Sequence, residues 1–298
     1  MSTTCPSSLQ RAKTPNPDVV EQAVSVCRPP DGLSGPVILA SPHSGRHYAD
    51  DLQADVVLPL ELLRRSEDAY VDQLIDCAPE FGATTICAEF PRVFVDVNRG
   101  PWDLDPRMFA DSLPEFVNKR SKRAASGLGV VPRIGANGHA LYRRQMRFAD
   151  ARARLTRYYT PYQNAIKDML TEAQSNYGIA ILLDMHSMPH VSAPGVDFVL
   201  GDRFGQSCDH RITDVIEGLL RESNFVTVRN TPYAGGHTTE FYGAPQNGIH
   251  VIQIEMNRSL YLDEHRVVRS SEWSKFKNKL DIFIKRFCAI EWVDKLPS

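Results

Sequence analysis

Hydrophobic and polar positions along the chain form short apolar runs that stop abruptly on polar residues. Ile179 to Leu183 is unbroken and apolar, then gives way to Asp184, Met185, His186 and Ser187. A run of that length reads as a strand buried on both faces, as in the middle of an α/β sheet. Pro36 to Ala40 has the same form and delivers Ser41, Pro42, His43, Ser44 and Gly45. Polar side chains at the carboxyl ends of such strands lie where open α/β sheets place their ligands. Further strands are predicted over residues 82–88, 92–99, 197–203, 225–229 and 250–258. The 92–99 stretch alternates apolar and polar residues, as a half-buried strand would. The 250–258 stretch sets Gln253 and Glu255 on one face, and an inward acid on an apolar strand needs a partner or a job.

Helical spacing covers residues 58–79, with Ser66 as an N-cap inside it and Glu67 and Asp68 in the first turn that follows. The longest helical stretch is 142–177, whose aromatic stripe reads as core. Residues 212–220 and 267–287 complete the helices. Residues 106–141 read as a long loop over one sheet face, in a substrate-covering role. Residues 232–243 form a glycine-rich loop without the Gly-Lys-Ser/Thr ending of a P-loop. Residues 1–34, rich in Pro, Ser and Thr, read as a flexible arm. The alternation of strands and helices predicts one α/β domain over 35–298, with helices on both sheet faces.

Composition narrows the function classes. With 42% hydrophobic and 23% charged residues and a net charge of -2, the chain fits a soluble globular protein without general affinity for nucleic acid or acidic membranes. No apolar run approaches the roughly 20 residues of a membrane-spanning helix. The N-terminus lacks a signal-peptide layout, so a cytoplasmic location is expected. Six cysteines with no CxxC pair exclude a cysteine zinc ribbon, so any metal must be held by histidine and carboxylate.

His43, His186 and one of Glu67 or Asp68 offer that chemistry. Two histidines and a carboxylate, with an open fourth position, make a catalytic zinc site. Asp184 could orient His186 through its second ring nitrogen. Glu255 is the best-placed general base. Asn98 and Arg99 could form a fork for a substrate carboxylate. A serine hydrolase built on Ser44 or Ser187 ranks low, because neither lies in a Gly-x-Ser-x-Gly elbow.

Pro42-His43-Ser44-Gly45, Asp68, Val95-Asp-Val-Asn98-Arg99, Asp184-Met-His186-Ser187, Gly235-Gly236 with Thr239, and Gln253-Ile-Glu255 occur in that order. Together, from about residue 36 to 264, they resemble the N-formylglutamate amidohydrolase family. The resemblance implies hydrolysis of N-formyl-L-glutamate to formate and glutamate, a late step of one histidine degradation route. It also implies kinship with zinc carboxypeptidases and aspartoacylases, hence a three-layer α/β/α fold with a central mixed sheet, of the phosphorylase/hydrolase-like kind. One zinc ion per chain would be held by His43, Asp68 and His186, with Glu255 as base. The carboxypeptidase pattern His-x-x-Glu is replaced here by His43-Ser-Gly-Arg46, so the carboxylate ligand comes from elsewhere, and family register favours Asp68 over Glu67. A substrate with two carboxylates needs cations besides Arg99. Arg133, Arg143 and Arg258 are candidates, and substrate contacts are expected from Asn98, Arg99, Arg143 and Thr239. His237 is expected to touch substrate, and His47 to lie on the surface. The partner is a small N-acyl amino acid, with no nucleic acid or membrane. Two rival readings are a deacylase for another N-acyl amino acid and a non-catalytic binding protein on this fold.

Overall fold

In the computed structural model, which describes residues 23–30 and 32–295, the unbroken apolar runs form the central strands. The strands are β1 (Val24–Cys27), β2 (Val37–Ser41), β3 (Thr84–Ala88), β4 (Ala180–Met188), β5 (Phe198–Gly201), β6 (Thr227–Arg229) and β7 (Ile249–Asn257). They make one mixed sheet in the order β1-β3-β2-β4-β7-β5-β6. β3, β2, β4 and β7 run parallel, whereas β1 and the β5–β6 pair run antiparallel to their neighbours β3 and β7. Because β2, β4 and β7 point the same way, their carboxyl ends deliver polar residues to one edge of the sheet.

The two faces are covered by helices. Ile181, Leu183 and Met185 pack with Ile212, Ile216, Phe276 and Phe283 from the His210–Glu222 and Trp273–Cys288 helices. Ala180, Leu182 and Val251 face Tyr162, Ile166 and Leu170 of the Thr160–Tyr177 helix. Each Val, Leu, Ile, Met or Phe among them, fully buried, stabilises the fold by roughly 1.5–3 kcal/mol. Asp184 and His186 continue the second of these faces along β4 by the period of two. The result is an α/β fold with a mixed central sheet between helical layers.

Several local expectations are corrected. Residues 92–99 form turns and extended backbone, not a strand. Val93, Phe94, Val95 and Val97 are all buried in one core cluster, and Asp96 N–H donates to Val130 O at 2.8 Å, so loop packing replaces strand pairing. The 58–79 stretch is broken into Leu60–Arg64 and Val71–Leu74. Ser66 caps neither; its hydroxyl accepts from Ala136 N–H at 2.9 Å. The break arises because Asp68 N–H donates to His43 O at 2.9 Å, which ties the connector to the loop after β2. The long helical stretch begins at Phe148, not 142, and passes through a π-helical turn at Leu155–Tyr159. Half of the glycine-rich loop is a short helix, His237–Tyr242. Val24–Cys27, placed in the N-terminal arm by composition, forms the edge strand β1; the rest of that arm up to residue 22 lies outside the described residues. Among the described residues no helix is long and apolar enough to cross a membrane.

Candidate active site

The carboxyl ends of β2, β4 and β7 converge on a cavity of about 430 Å³. His43 follows β2, Asp68 lies in the connector pinned to it, and His186 is on β4. These three offer ligand atoms all within 4.8 Å of one another, and all three are buried. His43 Nδ1 is 3.1 Å from His186 Nδ1, and Asp68 Oδ2 is 3.3 and 3.0 Å from those two nitrogens. Gly45 allows the chain after β2 to pass close to β3: a Cβ there would sit 2.2 Å from Phe90 O.

Both outer ring nitrogens face carboxylates. His43 Nε2 is 2.8 Å from Asp96 Oδ1, and His186 Nε2 is 3.0 Å from Asp184 Oδ2. Carboxylates placed there hold the proton on Nε2 and turn the Nδ1 lone pairs towards each other. Two lone pairs 3.1 Å apart, with a carboxylate oxygen beside them, repel unless a positive charge lies between. The donor set and its geometry therefore fit a metal ion. The local field has the same sign. Burial opposes protonation of His186, but Asp184 and Asp68 outweigh it and raise its pKa well above the ordinary imidazole value. Burial would likewise raise Asp68, yet its hydrogen bonds to His186 and His43, with Arg92 nearby, hold it well below the usual carboxylate range. Glu67 is turned away: its carboxylate accepts from Tyr48 OH at 2.8 Å and pairs with Arg64.

Glu255 on β7 is in register with His186 on β4, and Gln253 with Asp184. Gln253 Nε2 donates to Glu255 Oε1 at 2.8 Å. Burial pushes the Glu255 carboxyl up to about 7, partly offset by His186 and helped by the charge of Asp68. A carboxylate with a pKa near neutrality, lining the same cavity as the cluster, can accept and return a proton.

Asn98 is buried between the loops. Its Oδ1 accepts from Thr238 N–H at 2.8 Å and Thr238 Oγ1 at 3.1 Å, and its Nδ2 lies 3.4 Å from Gln253 Oε1. Gly236 permits this contact, since a Cβ there would fall 2.5 Å from the Asn98 amide. Arg99 lines the cavity; its Nη1 and Nε donate to Asn98 O and Leu128 O.

Other expected substrate contacts lie elsewhere. Arg143 is exposed and does not line the cavity, because the chain before Phe148 is irregular and carries it outwards. Thr239 is fully buried and donates to Gly236 O at 2.8 Å, so it shapes the loop without facing the cavity. Arg133 is paired with Asp105, and His237 stacks on Phe241; neither lines the cavity. Arg258 does line it, bound to Asp68 at 3.0 Å. His47 is exposed. Residues 128–138 of the long loop supply one wall, through Leu128, Pro132, Ile134 and Ala136.

The sequence pattern assigned no role to Asp96 or Arg92. Asp96 lies between the buried Val95 and Val97, a signal of the same kind as an acid on the apolar strand of Glu255. Arg92 donates to Asp96 Oδ2 at 2.8 Å. A second cavity, about 480 Å³, lies at the other ends of β4 and β7, lined by Tyr177, Asp209, His250 and Trp292. It holds no metal-ligating cluster among the described residues.

The chain as a whole has counterparts among known proteins. The structure of N-formylglutamate amidohydrolase from Ralstonia eutropha JMP134 superposes with a TM-score of 0.85, at 31% identity, over 92% of this chain and 99% of that one. N-formylglutamate deformylase of Pseudomonas aeruginosa is 30% identical over 237 residues, covering 77% of this chain and 83% of the relative. The corresponding enzyme of Pseudomonas putida is 28% identical, covering 77% of this chain and 82% of the relative. The gene product Atu2144 of Agrobacterium tumefaciens shares the fold, with a TM-score of 0.61 at 16% identity. The family model for N-formylglutamate amidohydrolase matches residues 35–262, and the protein belongs to that family.

Proposed function

We propose that this protein hydrolyses the formyl amide of N-formyl-L-glutamate to L-glutamate and formate, with zinc held by His43, Asp68 and His186. The reading rests on family membership and on the named activity of the Pseudomonas relatives. The observation that carries it is the inward-facing Nδ1–Nδ1–Oδ2 cluster with Glu255 in register beside it. By the same resemblance the reaction would serve histidine degradation.

Zinc bound there would polarise the formyl carbonyl and ease deprotonation of water. Glu255 takes the proton from the attacking water and later returns it to the departing amine, so one residue acts as base and then as acid. Gln253 holds the Glu255 carboxylate through its amide. Asp96 and Asp184 keep the two imidazoles in the tautomer whose Nδ1 can bind a cation. Arg99 takes a substrate carboxylate; its Nη2 lies 3.9 Å from Asp96. Asn98 holds the 236–238 loop and, through its Nδ2 at 3.2 Å from His186 Nε2, the imidazole wall in place, given that its amide is already occupied by the protein.

Formate release should be measured on N-formyl-, N-acetyl- and N-propionyl-L-glutamate, following the matching acid in each case. The formyl substrate is expected to lead in kcat/KM by roughly tenfold or more per added carbon. A lead for the acetyl compound would keep the site and change the substrate to another N-acyl amino acid.

A further inference from the structure

Five guanidinium groups line the cavity: Arg65, Arg92, Arg99, Arg123 and Arg258. Two are neutralised in place, Arg92 by Asp96 at 2.8 Å and Arg258 by Asp68 at 3.0 Å. Among the described residues Arg99 forms one long ion pair, with Asp96 at 3.9 Å. No carboxylate among the described residues pairs with Arg123, which is exposed on the short Lys122–Ala125 helix.

Arg123 is tied to Arg99 by a short chain of hydrogen bonds. Arg99 Nε donates to Leu128 O at 3.1 Å, and Leu128 N–H donates back to Arg123 O at 2.9 Å. Ala124, beside it, is buried, and Ser121 accepts the Ala124 N–H at 3.3 Å. The backbone of Arg123 is thus tied to the Arg99 side chain, and both guanidiniums line the same cavity. Burial lowers the pKa of Arg99, Asp96 opposes that, and the charges of Arg92 and Arg123 lower it further. Like charges gathered in a partly dry cavity cost free energy until an anion joins them.

We propose that Arg123 binds the side-chain carboxylate of a dicarboxylic N-acyl amino acid while Arg99 binds its α-carboxylate, which makes the Arg99–Arg123 wall the selector for glutamate. This rests on the hydrolytic reading above and names the group that sets its substrate. The order of groups along the cavity matches the order along the substrate. The α-carboxylate shares a carbon with the amide nitrogen, so it lies near the reacting centre, and Arg99 reaches Asp96 and thereby His43. The side-chain carboxylate lies two methylenes farther out, and Arg123 is the exposed member of the pair. Arg65 also lines the cavity and pairs with no carboxylate among the described residues, but its Nη2 is directed to His265 O at 3.5 Å, which makes it the control for Arg123.

The test compares N-formyl-L-glutamate with its neutral isostere N-formyl-L-glutamine in the zinc-loaded wild type, Arg123→Gln and Arg65→Gln. Arg123→Gln should lose roughly 10- to 100-fold in kcat/KM for the glutamate substrate, mainly through KM, and far less for the glutamine substrate. Arg65→Gln should show no such selectivity. Equal loss on both substrates, no loss on either, or the selective loss appearing in Arg65→Gln would overturn the assignment. Binding of L-glutamate and L-glutamine by calorimetry separates this failure from failure of the hydrolytic reading. If the wild type releases no formate from either substrate, that reading falls. An Arg123-dependent preference for glutamate in binding would still uphold the anion site, and its absence would remove it.

Discussion

Glu255 stands opposite His186 across β7 and β4, with both side chains on the sheet face that carries the metal-ligating cluster. Parallel pairing of two strands thus sets a carboxyl group and an imidazole side by side without any loop having to place them. Replacing the carboxyl by an amide keeps shape and removes proton transfer. Glu255→Gln should lower kcat by about 10²- to 10⁴-fold while zinc content is unchanged, measured by formate release and metal analysis on the same preparation. Unaltered turnover would remove Glu255 from the mechanism.

The pH profile follows from the same group. Burial raises its pKa to about 7, and the base works only when ionised. kcat/KM should therefore fall as pH falls, with an inflection at or below that value, because a bound dication favours the ionised form. The inflection should be missing from the residual activity of Glu255→Gln.

Stability gives an independent check in metal-free protein. A carboxyl whose folded pKa lies above its unfolded value of 4.5 destabilises the fold as pH rises between the two. Glu255→Gln should then stabilise metal-free protein at pH 8, by on the order of 2–4 kcal/mol, with the gain fading towards pH 4.5. Urea midpoints across pH measure it. A gain that grew on acidification would contradict the assignment.

Asp96 touches the cluster directly at His43 Nε2, at 2.8 Å. Asp96→Asn should weaken zinc binding by about 10- to 100-fold in competition with a chelator. A variant that holds zinc as tightly as wild type would show that the tautomer is set elsewhere.

Two glycines make a matched pair. Gly236 has no room for a methyl group, which would meet the Asn98 amide at 2.5 Å, so Gly236→Ala should destabilise by about 1–3 kcal/mol. Gly218, inside the His210–Glu222 helix, has nothing within 4 Å of the place a methyl group would take, and Gly218→Ala should stabilise by about 0.5–1 kcal/mol. Denaturant midpoints of the two variants should move in opposite directions.

The central strands and their polar ends were legible in the sequence because burial on both faces leaves an unbroken apolar run, as in Ile179 to Leu183. His43, His186 and Glu255 could be read as ends or interruptions of such runs. Residues 92–99 misled because Val93, Val95 and Val97, interleaved with Asp96 and Asn98, mimic a strand, whereas Phe94 is buried in the same core cluster as the three valines and the segment is a packed loop. The 58–79 stretch kept helical spacing through its break, since Leu63 and Val71 are buried on either side of it. What ends that helix, the bond from Asp68 N–H to His43 O, joins residues far apart in sequence and leaves no local mark. Arg143 illustrates the same limit: nearness to the long loop in sequence did not make it a wall of the cavity, whereas Arg123 within the loop reaches it.

Metal analysis paired with formate release is the most direct measurement. Purified protein is assayed with N-formyl-L-glutamate as isolated, after chelation, and after addition of zinc. About one zinc per chain is expected, with activity lost on chelation and restored by zinc, and both lost in His186→Ala. Full activity in chelated, zinc-free protein would contradict the metal-centred site.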